Sequence, residues 1–422
     1  MAADFCECAA NWRIELIRLT TGEVLKVIIP TQFEFEMVYL EAGRGTISFN
    51  RHGVQPFSNR SEAGFLQMLQ MYPKSVGIYF SRTAGGSATP AVPVPMFGGI
   101  IETFEGTSDG TVTLGFNEIQ SYLDSRSIRS DLVFTAQDQR AIAQALVEYA
   151  SGTNVLGGSV DPILGPGIQL IGGQGGAGAF NRNRTYLAVD RKFIGEALRE
   201  FVAIIDGPVY SMSHSRQTIT DVWTSEMLFR DTWFQGSPFP VIAWHHLTDL
   251  KFTMDGNGTA NLVDAFGEPA ADGTPLIQTF WPGGTFGSMP RYDAAPTFDT
   301  VSVASTLFDQ AEGYHSDHAD LAGNIQLSLS GLDYGTAAGA PTLTIEDLTP
   351  GNEVSLDIVS PHWAIKGGYT VPLSTAQPKI GRLSVAVGLE GPEQITVQIM
   401  EEQMSRLVIP NDADLETCWD CF

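Results

Sequence analysis

From Arg13 onward, polar and apolar residues alternate on either side of a Thr-Gly turn in RIELIRLTTGEVLKVI, the two-residue period of a half-buried hairpin. FEFEMVYLEAGRGTISFN continues that alternation, and SEAGFLQMLQMYP then changes to helical spacing, with Ser61 as N-cap and Pro73 as the stop. Strand spacing resumes at SVGIYFSR and is interrupted by a flexible loop, TAGGSATPAVPVP. It returns in FGGIIETFEG and GTVTLGF, a second hairpin about Ser108-Asp109-Gly110.

After Gly115 the spacing predicts helices. In TAQDQRAIAQALVEYA, Thr135 and Asp138 have capping-box spacing, and Ile142, Leu146 and Tyr149 share one face. Ser151 to Asn181 holds ten glycines and a single charged residue, Asp161, and reads as a long exposed loop with too little apolar surface to order itself. RTYLAV predicts a strand. DRKFIGEALREFVAIIDGP predicts a helix capped by Asp190, with Phe193, Leu198, Phe201 and Ile205 as its buried stripe. LTDLKFTMDGNGTANLVDAFG predicts a hairpin about Asp255 to Gly258, and LTIEDLTPGNEVSLDIV and IGRLSVAVGLEGPEQITVQIM predict the closing strands. The expected organisation is a β domain over 1–117, an α/β insert over 118–240 carrying the 151–181 loop, and a second β domain with long loops over 241–422.

Composition agrees with this β character. The 422 residues are 43% hydrophobic and 17% charged, with 44 glycines and 23 prolines, a length suited to two to four domains. The 24 basic residues face 48 acidic ones, a net charge of -24, which argues against direct nucleic-acid binding and suits a surface past which DNA slides without sticking. The start, MAADFCECAANW, has no signal pattern, and no run of 18 apolar residues occurs, so a cytoplasmic product with no membrane-spanning segment is expected.

The candidate chemistry is sparse. GTSDG at 106–110 has the spacing of a nucleophile elbow, but that device needs a helix after it, and here both flanks read as strands. His315, Asp317, His318 and Asp320 are potential metal ligands in what reads as a solvated loop. The neighbours His245 and His246 point to opposite faces if on a strand. GGQGGAG lacks the lysine of a phosphate loop, and an acidic catalytic pair, which is defined by distance in space, is neither identified nor excluded. All four cysteines lie near the ends: Cys6 and Cys8 in FCEC, Cys418 and Cys421 in CWDCF. Their spacing suits a structural zinc in an S4 site, a disulfide, or free thiols, and a thioredoxin-like role does not fit a C-x-x-C one residue from the C-terminus.

The order of these features resembles a family, the central tail hub (minor tail) proteins of long-tailed bacteriophages, especially those infecting actinobacteria. VTLGFNEIQSYLDSRSI at 112–128 is similar to the transition after the first hub domain, with Gly115 and Arg126 at the family's glycine and arginine. RTYLAVDRKFIGEALREFVAIIDGPVYSM resembles the insert, LTDLKFTMDGNGTANLVDAFGE the re-entry strands, and DLTPGNEVSLDI the late turn. The 151–181 loop and the region from Gly267 to Asp299 match nothing in the family.

The resemblance implies a mainly β (α+β) fold with two β-barrel-like hub domains and an inserted α/β region. It implies a homotrimer at the virion tail tip, assembled in the host cytoplasm. Such a hub closes or lines the tail tube and joins the distal tail protein and tape-measure protein to spike or fibre proteins, in host attachment and genome ejection. Such a protein is not an enzyme and requires no cofactor. In a ring of this kind the cysteine-bearing ends meet as a clasp. Two other readings compete: a carbohydrate-binding tail protein that grips sugar with aromatics of VWTSEMLFRDTWFQG at 222–236, and a cell-wall hydrolase with an unrecognised acidic pair.

Overall fold

The computed structural model describes residues 12–51, 54–56, 62–83, 93–152, 168–176, 178–204, 207–217, 222–231, 240–255, 260–270, 273–281, 291–298, 301–318, 322–329, 343–359, 364–367, 378–388 and 393–399. These fall into two compact units. The first draws on Met1–Pro240, Ser328–Glu353 and Ile380–Val397, the second on Val241–Leu327, Val354–Lys379 and Gln398–Phe422.

The first unit is organised on one long sheet. Its early strands are β1 (Trp12–Arg18), β2 (Val24–Ile28), β3 (Gln32–Val38), β4 (Glu41–Asn50) and β5 (Val54–Pro56). After helix α1 (Glu62–Met71) come β6 (Val76–Arg82), β7 (Val94–Gly106) and β8 (Thr111–Glu118). The β7–β8 connection is the expected turn. Gly110 has φ +85°, the left-handed conformation glycine adopts without penalty, and the Asp109 carboxylate accepts from the Thr111 N–H at 3.0 Å.

The next segment supplies β9 (Leu132–Asp138), α2 (Gln139–Ser151), β10 (Leu170–Gln174), β11 (Asn181–Tyr186), α3 (Ile194–Val202), β12 (Val209–Gln217) and β13 (Val222–Arg230). Asp138 caps α2, accepting from the Arg140 N–H at 2.9 Å; Ile142 and Leu146 are buried and Tyr149 packs against the same core. Thr135 lies in β9 rather than in the cap. Helix α3 begins later than expected: Asp190 sits in a separate 3-10 turn, and Phe193 is exposed at the N-cap, while Leu198 and Phe201 are buried. The glycine-rich stretch is ordered at its end, because β10 finds a parallel partner in β13, register Leu170↔Ser225 to Gln174↔Phe229. Leu170 at its start, and Ile168 just before it, are also buried in the core with residues of α2 and β13.

The second unit holds β14 (Val241–Ala243), β15 (Leu247–Asp255), β16 (Leu262–Gly267), β17 (Ile277–Phe280), β18 (Asp293–Ala294), β19 (Thr297–Phe298), α4 (Ala304–His318), most of β20 (Ala322–Leu329), β21 (Ser355–Val359) and β22 (Ala364–Gly367). The hairpin expected at 247–267 does not form: β15 lies beside β20, while β16 pairs with β17, β18 and β19. Leu307 and Ala311 of α4 pack on Val263 and Ala265 of β16. Strands β14, β21 and β22 form a separate small sheet.

The chain then returns to the first unit with β23 (Ile380–Val387), which pairs antiparallel with β3 in the register Val385↔Phe35, and with β24 (Gln394–Ile399) beside it. Within this unit the neighbours run β24-β23-β3-β4-β8-β7-β6-β1-β2-β5. The fold is mainly β. The sheet is bent by bulges such as those at Leu16/Ile17, Phe80/Ser81 and Ile101/Thr103, yet it is open rather than a barrel: among the described residues no pairing closes it, and its end strand β5 is only three residues long. Among the described residues no helix is long and apolar enough to cross a membrane.

Candidate interaction surface

Side chains alternate across the long sheet, so each strand serves two environments. One face carries a continuous aromatic core in which Trp12, Phe33, Phe35, Phe80, Phe97 and Phe116 pack with centroids 5.1 to 6.4 Å apart. The opposite face is divided. Along β1 and β6 it is covered: Ile17 and Tyr79 join a second core with residues of α2, α3, β10, β12 and β13. Along β23, β3, β4 and β8 it forms an uncovered groove of about 590 Å³.

The groove floor follows from strand register. Ala386, Glu34, Thr46 and Gly115 stand opposite one another across four strands, and Ser384, Glu36, Arg44 and Asn117 form the next row. Small side chains make it concave. Gly115 is needed here because a Cβ would come within 2.4 Å of the Thr103 hydroxyl, which accepts the Gly115 N–H at 3.1 Å. Glu36 is held between Arg44 at 2.8 Å and Arg382 at 3.3 Å, and Glu102 pairs with Lys74 at 2.7 Å. These pairs are solvated and add little to stability; they fix a pattern of charge on a rigid face. Concave, and lined by apolar as well as charged side chains, the groove suits recognition of a protein surface; within it the Thr46 hydroxyl donates to Glu34 at 3.3 Å, an exposed hydrogen bond.

The covered half is fastened by buried polar groups that the sequence gives little sign of. The fully buried Glu15 accepts from the Trp223 indole N–H at 2.6 Å, from Arg13 at 2.5 Å and from Arg216 at 3.1 Å. Beside it the Tyr79 hydroxyl meets Ser225 Oγ at 2.6 Å, and Ser225 Oγ meets His214 Nδ1 at 2.9 Å. Burial pushes His214 down to about 4 and Tyr79 well above the usual tyrosine range. Ser225, at 0% exposure, is sealed from any substrate, so this relay is a fastening between β6 and β12–β13 rather than a nucleophile with its base. The only sequence signal is a glutamate inside the otherwise apolar IELI of β1, which is buried on both faces. On the far side of α2, Arg140 donates to the carbonyls of Gly175 at 2.8 Å and Gly176 at 2.6 Å and to Asp138 at 2.6 Å, holding the chain as it leaves β10.

The structure disperses the residues singled out in the sequence. GTSDG is the β7–β8 turn. His315 lies within α4, with its ring 5.2 Å from that of Phe280, so the expected loop is helical there; the side chains of Asp317 and His318, and all of Asp320, lie outside the described residues. His245 and His246 occupy a 3-10 turn, Trp244–His246, and their rings are 4.1 Å apart rather than on opposite faces, because about 120° separates successive residues there instead of 180°. Of the aromatics considered for sugar stacking, Trp223 and Phe229 are buried core residues, and Trp233 and Phe234 lie outside the described residues. Cys6, Cys8, Cys418 and Cys421 also lie outside them. Among the described residues no three His, Cys, Asp or Glu gather as a metal site. Arg126 ends the 3-10 segment Ile119–Ser125, its guanidinium 5.5 Å from the Tyr122 ring.

No family model matches the chain, and no curated protein matches it either. Solved structures do. A tail protein from Neisseria meningitidis MC58 superposes with a TM-score of 0.54 at 10% identity, covering 93% of this chain and 98% of that one. The 43 kDa tail protein of prophage MuSo2 from Shewanella oneidensis superposes with 0.53 at 9% identity, covering 93% and 99%. With identity this low the likeness is one of fold, and it extends over nearly the full length of each partner. The chain is therefore built on the fold of phage tail proteins, the fold implied by the resemblance in its sequence.

Proposed function

We propose that this chain is a structural protein of a phage tail, the homotrimeric hub of a tail tip or baseplate, acting by shape and contact rather than catalysis. The observation that carries this reading is the fold shared with two phage tail proteins over 93% of the chain. The uncovered groove supports it, since a hub is defined by the neighbours it holds: a distal tail ring and tape-measure protein on one side, spike or fibre proteins on the other. The net charge of -24 suits a passage that DNA traverses without binding during ejection. Cys6, Cys8, Cys418 and Cys421 would tie the ends together through zinc or a disulfide, which limits the unfolded state.

Native mass spectrometry with electron-microscopy class averages of the purified chain tests this. A trimer with a threefold ring and a central passage is expected, and the same mass would reveal bound zinc or the loss of hydrogens on disulfide formation. A particle that stays monomeric even when mixed with its tail neighbours would overturn the hub reading; a trimer with four free thiols would remove the clasp alone.

A further inference from the structure

In the first unit, residues 127–133 and 185–193 run antiparallel side by side. Thr185 stands opposite Val133, the Ala188 N–H donates to the Asp131 carboxylate at 2.7 Å, the Ile128 N–H donates to the Lys192 carbonyl at 2.9 Å, and Phe193 bridges to Ser127. This ribbon extends the β9–β11 pair. Its inward residues belong to the core: Phe134 and Tyr186 are buried with residues of α2 and α3, and Leu132 packs against them. Another set is left in solvent, with Val133 65% exposed, Leu187 43%, Val189 80% and Phe193 46%. Single exposed apolar residues are ordinary, but four on one ribbon about 20 Å long form a stripe, and such a stripe with a polar rim marks an interaction surface.

Charge sets the same ribbon apart. Residues 126–137 and 181–193 hold six basic residues against two acidic ones, whereas the rest of the chain holds 18 against 46. Arg129 and Arg191 are exposed, and neither forms an ion pair among the described residues. A basic surface with an apolar stripe fits a partner that is acidic and offers apolar contact. Nucleic acid meets the first condition but not the second, since contacts to phosphate gain nothing from Val133, Leu187 and Val189. A second copy of this chain meets both: outside the ribbon it is strongly acidic, and it has exposed apolar residues elsewhere, such as Met71 and Tyr72. Contact between two unlike patches repeats in one direction, the kind of contact that closes subunits into a ring.

We propose that this ribbon is the surface by which one copy of the chain holds an acidic face of the next, with Val133, Leu187, Val189 and Phe193 supplying the buried contact and Arg129 and Arg191 its orientation. The inference rests on the trimeric hub reading and names the contact that builds the ring.

Sedimentation velocity of the full chain over a concentration series tests it, beside Val189→Asp, Arg129→Glu and the double variant. Both side chains are exposed, so an unchanged urea midpoint is expected and shows that the variants fold. Each single variant should weaken self-association about tenfold or more, and the double variant should stay monomeric. Met71→Asp, at another exposed apolar position at the end of α1, should leave association unchanged. Raising NaCl from about 0.1 M to about 1 M should weaken the parent assembly, because salt screens the attraction. A trimer that keeps full affinity in the double variant would overturn the ribbon contact and leave the hub reading standing. A parent dimer that is lost in the double variant would uphold the ribbon contact and remove the ring of three. A parent chain that is monomeric by itself would overturn the ribbon as a self-contact, while the hub reading is decided with tail neighbours present. Co-sedimentation of a monomeric parent with phosphatidylglycerol vesicles, abolished in the double variant, would overturn it in favour of an anionic lipid surface.

Discussion

Two buried titratable residues of the first unit respond to pH with opposite signs. Burial pushes the Glu118 carboxyl up to about 7, even though the Gly43 N–H at 2.9 Å favours its ionised form. In the unfolded chain that proton leaves near 4.5, so the contribution of Glu118 to stability is complete below 4.5 and is lost as pH rises to about 7. His214 runs the other way: its ring takes a proton near 6.5 unfolded but only near 4 folded, so its contribution is complete above 6.5 and is lost as pH falls towards 4. At about 1.4 kcal/mol per unit, each amounts to at most about 3.5 kcal/mol across its window. In urea titrations over a pH series, Glu118→Gln should gain on the parent chain as pH rises from 5 to 8. His214→Gln should gain on it as pH falls from 7 to 4. A pH-independent difference in either variant would refute the assignment for that residue. Neither behaviour is legible in the sequence, because both depend on which strands bury the side chain.

Among elements, those whose information is local were legible. Helix α2 has its cap and its buried stripe in one stretch, the β1–β2 hairpin and the β7–β8 turn have alternation and turn residues side by side, and FEFEM predicted the two-faced β3. Pairings between remote strands were not: β10 forms because β13 is present, and β15 and β16, both expected as strands and adjacent in sequence with a good turn between them, take different partners. Strand β7 shows how packing decides the meaning of one residue type. A Cβ on Gly98 would come within 2.5 Å of the Tyr79 ring and 2.8 Å of His214, where β12 lies against the sheet, whereas at Gly106 the nearest atom beyond the adjoining residues, on Phe104, is 3.6 Å away. Gly98→Ala should therefore destabilise by about 1–3 kcal/mol through overpacking, and Gly106→Ala should stay within about 0.5 kcal/mol. Chemical denaturation of the two variants decides this, and equal costs would show that β12 does not press on β7 as described.

At the scale of the whole molecule, the first unit joins the early and late parts of the chain. Strand β23 pairs with β3, and Glu393 accepts from the Trp12 indole at 2.8 Å while pairing with the buried Arg82 at 3.0 Å. Removing that carboxylate's charge leaves Arg82 undercompensated in a buried site, so Glu393→Gln should cost about 1–3 kcal/mol; an unchanged denaturation midpoint would mean that this link adds nothing. The sequence by itself determined the β-rich class, helices α1 to α3 though not the longer α4, the β1–β2 and β7–β8 turns, and, through the order of its features, the resemblance to phage tail hubs. Periodicity, capping and turn chemistry act over a few residues, so they are written in short stretches. The tertiary structure alone decided that no pairing among the described residues closes the sheet, that part of one face is left as a groove, and that Glu15, Trp223, Tyr79 and His214 meet. Those outcomes depend on pairing between distant strands, which a single sequence does not specify.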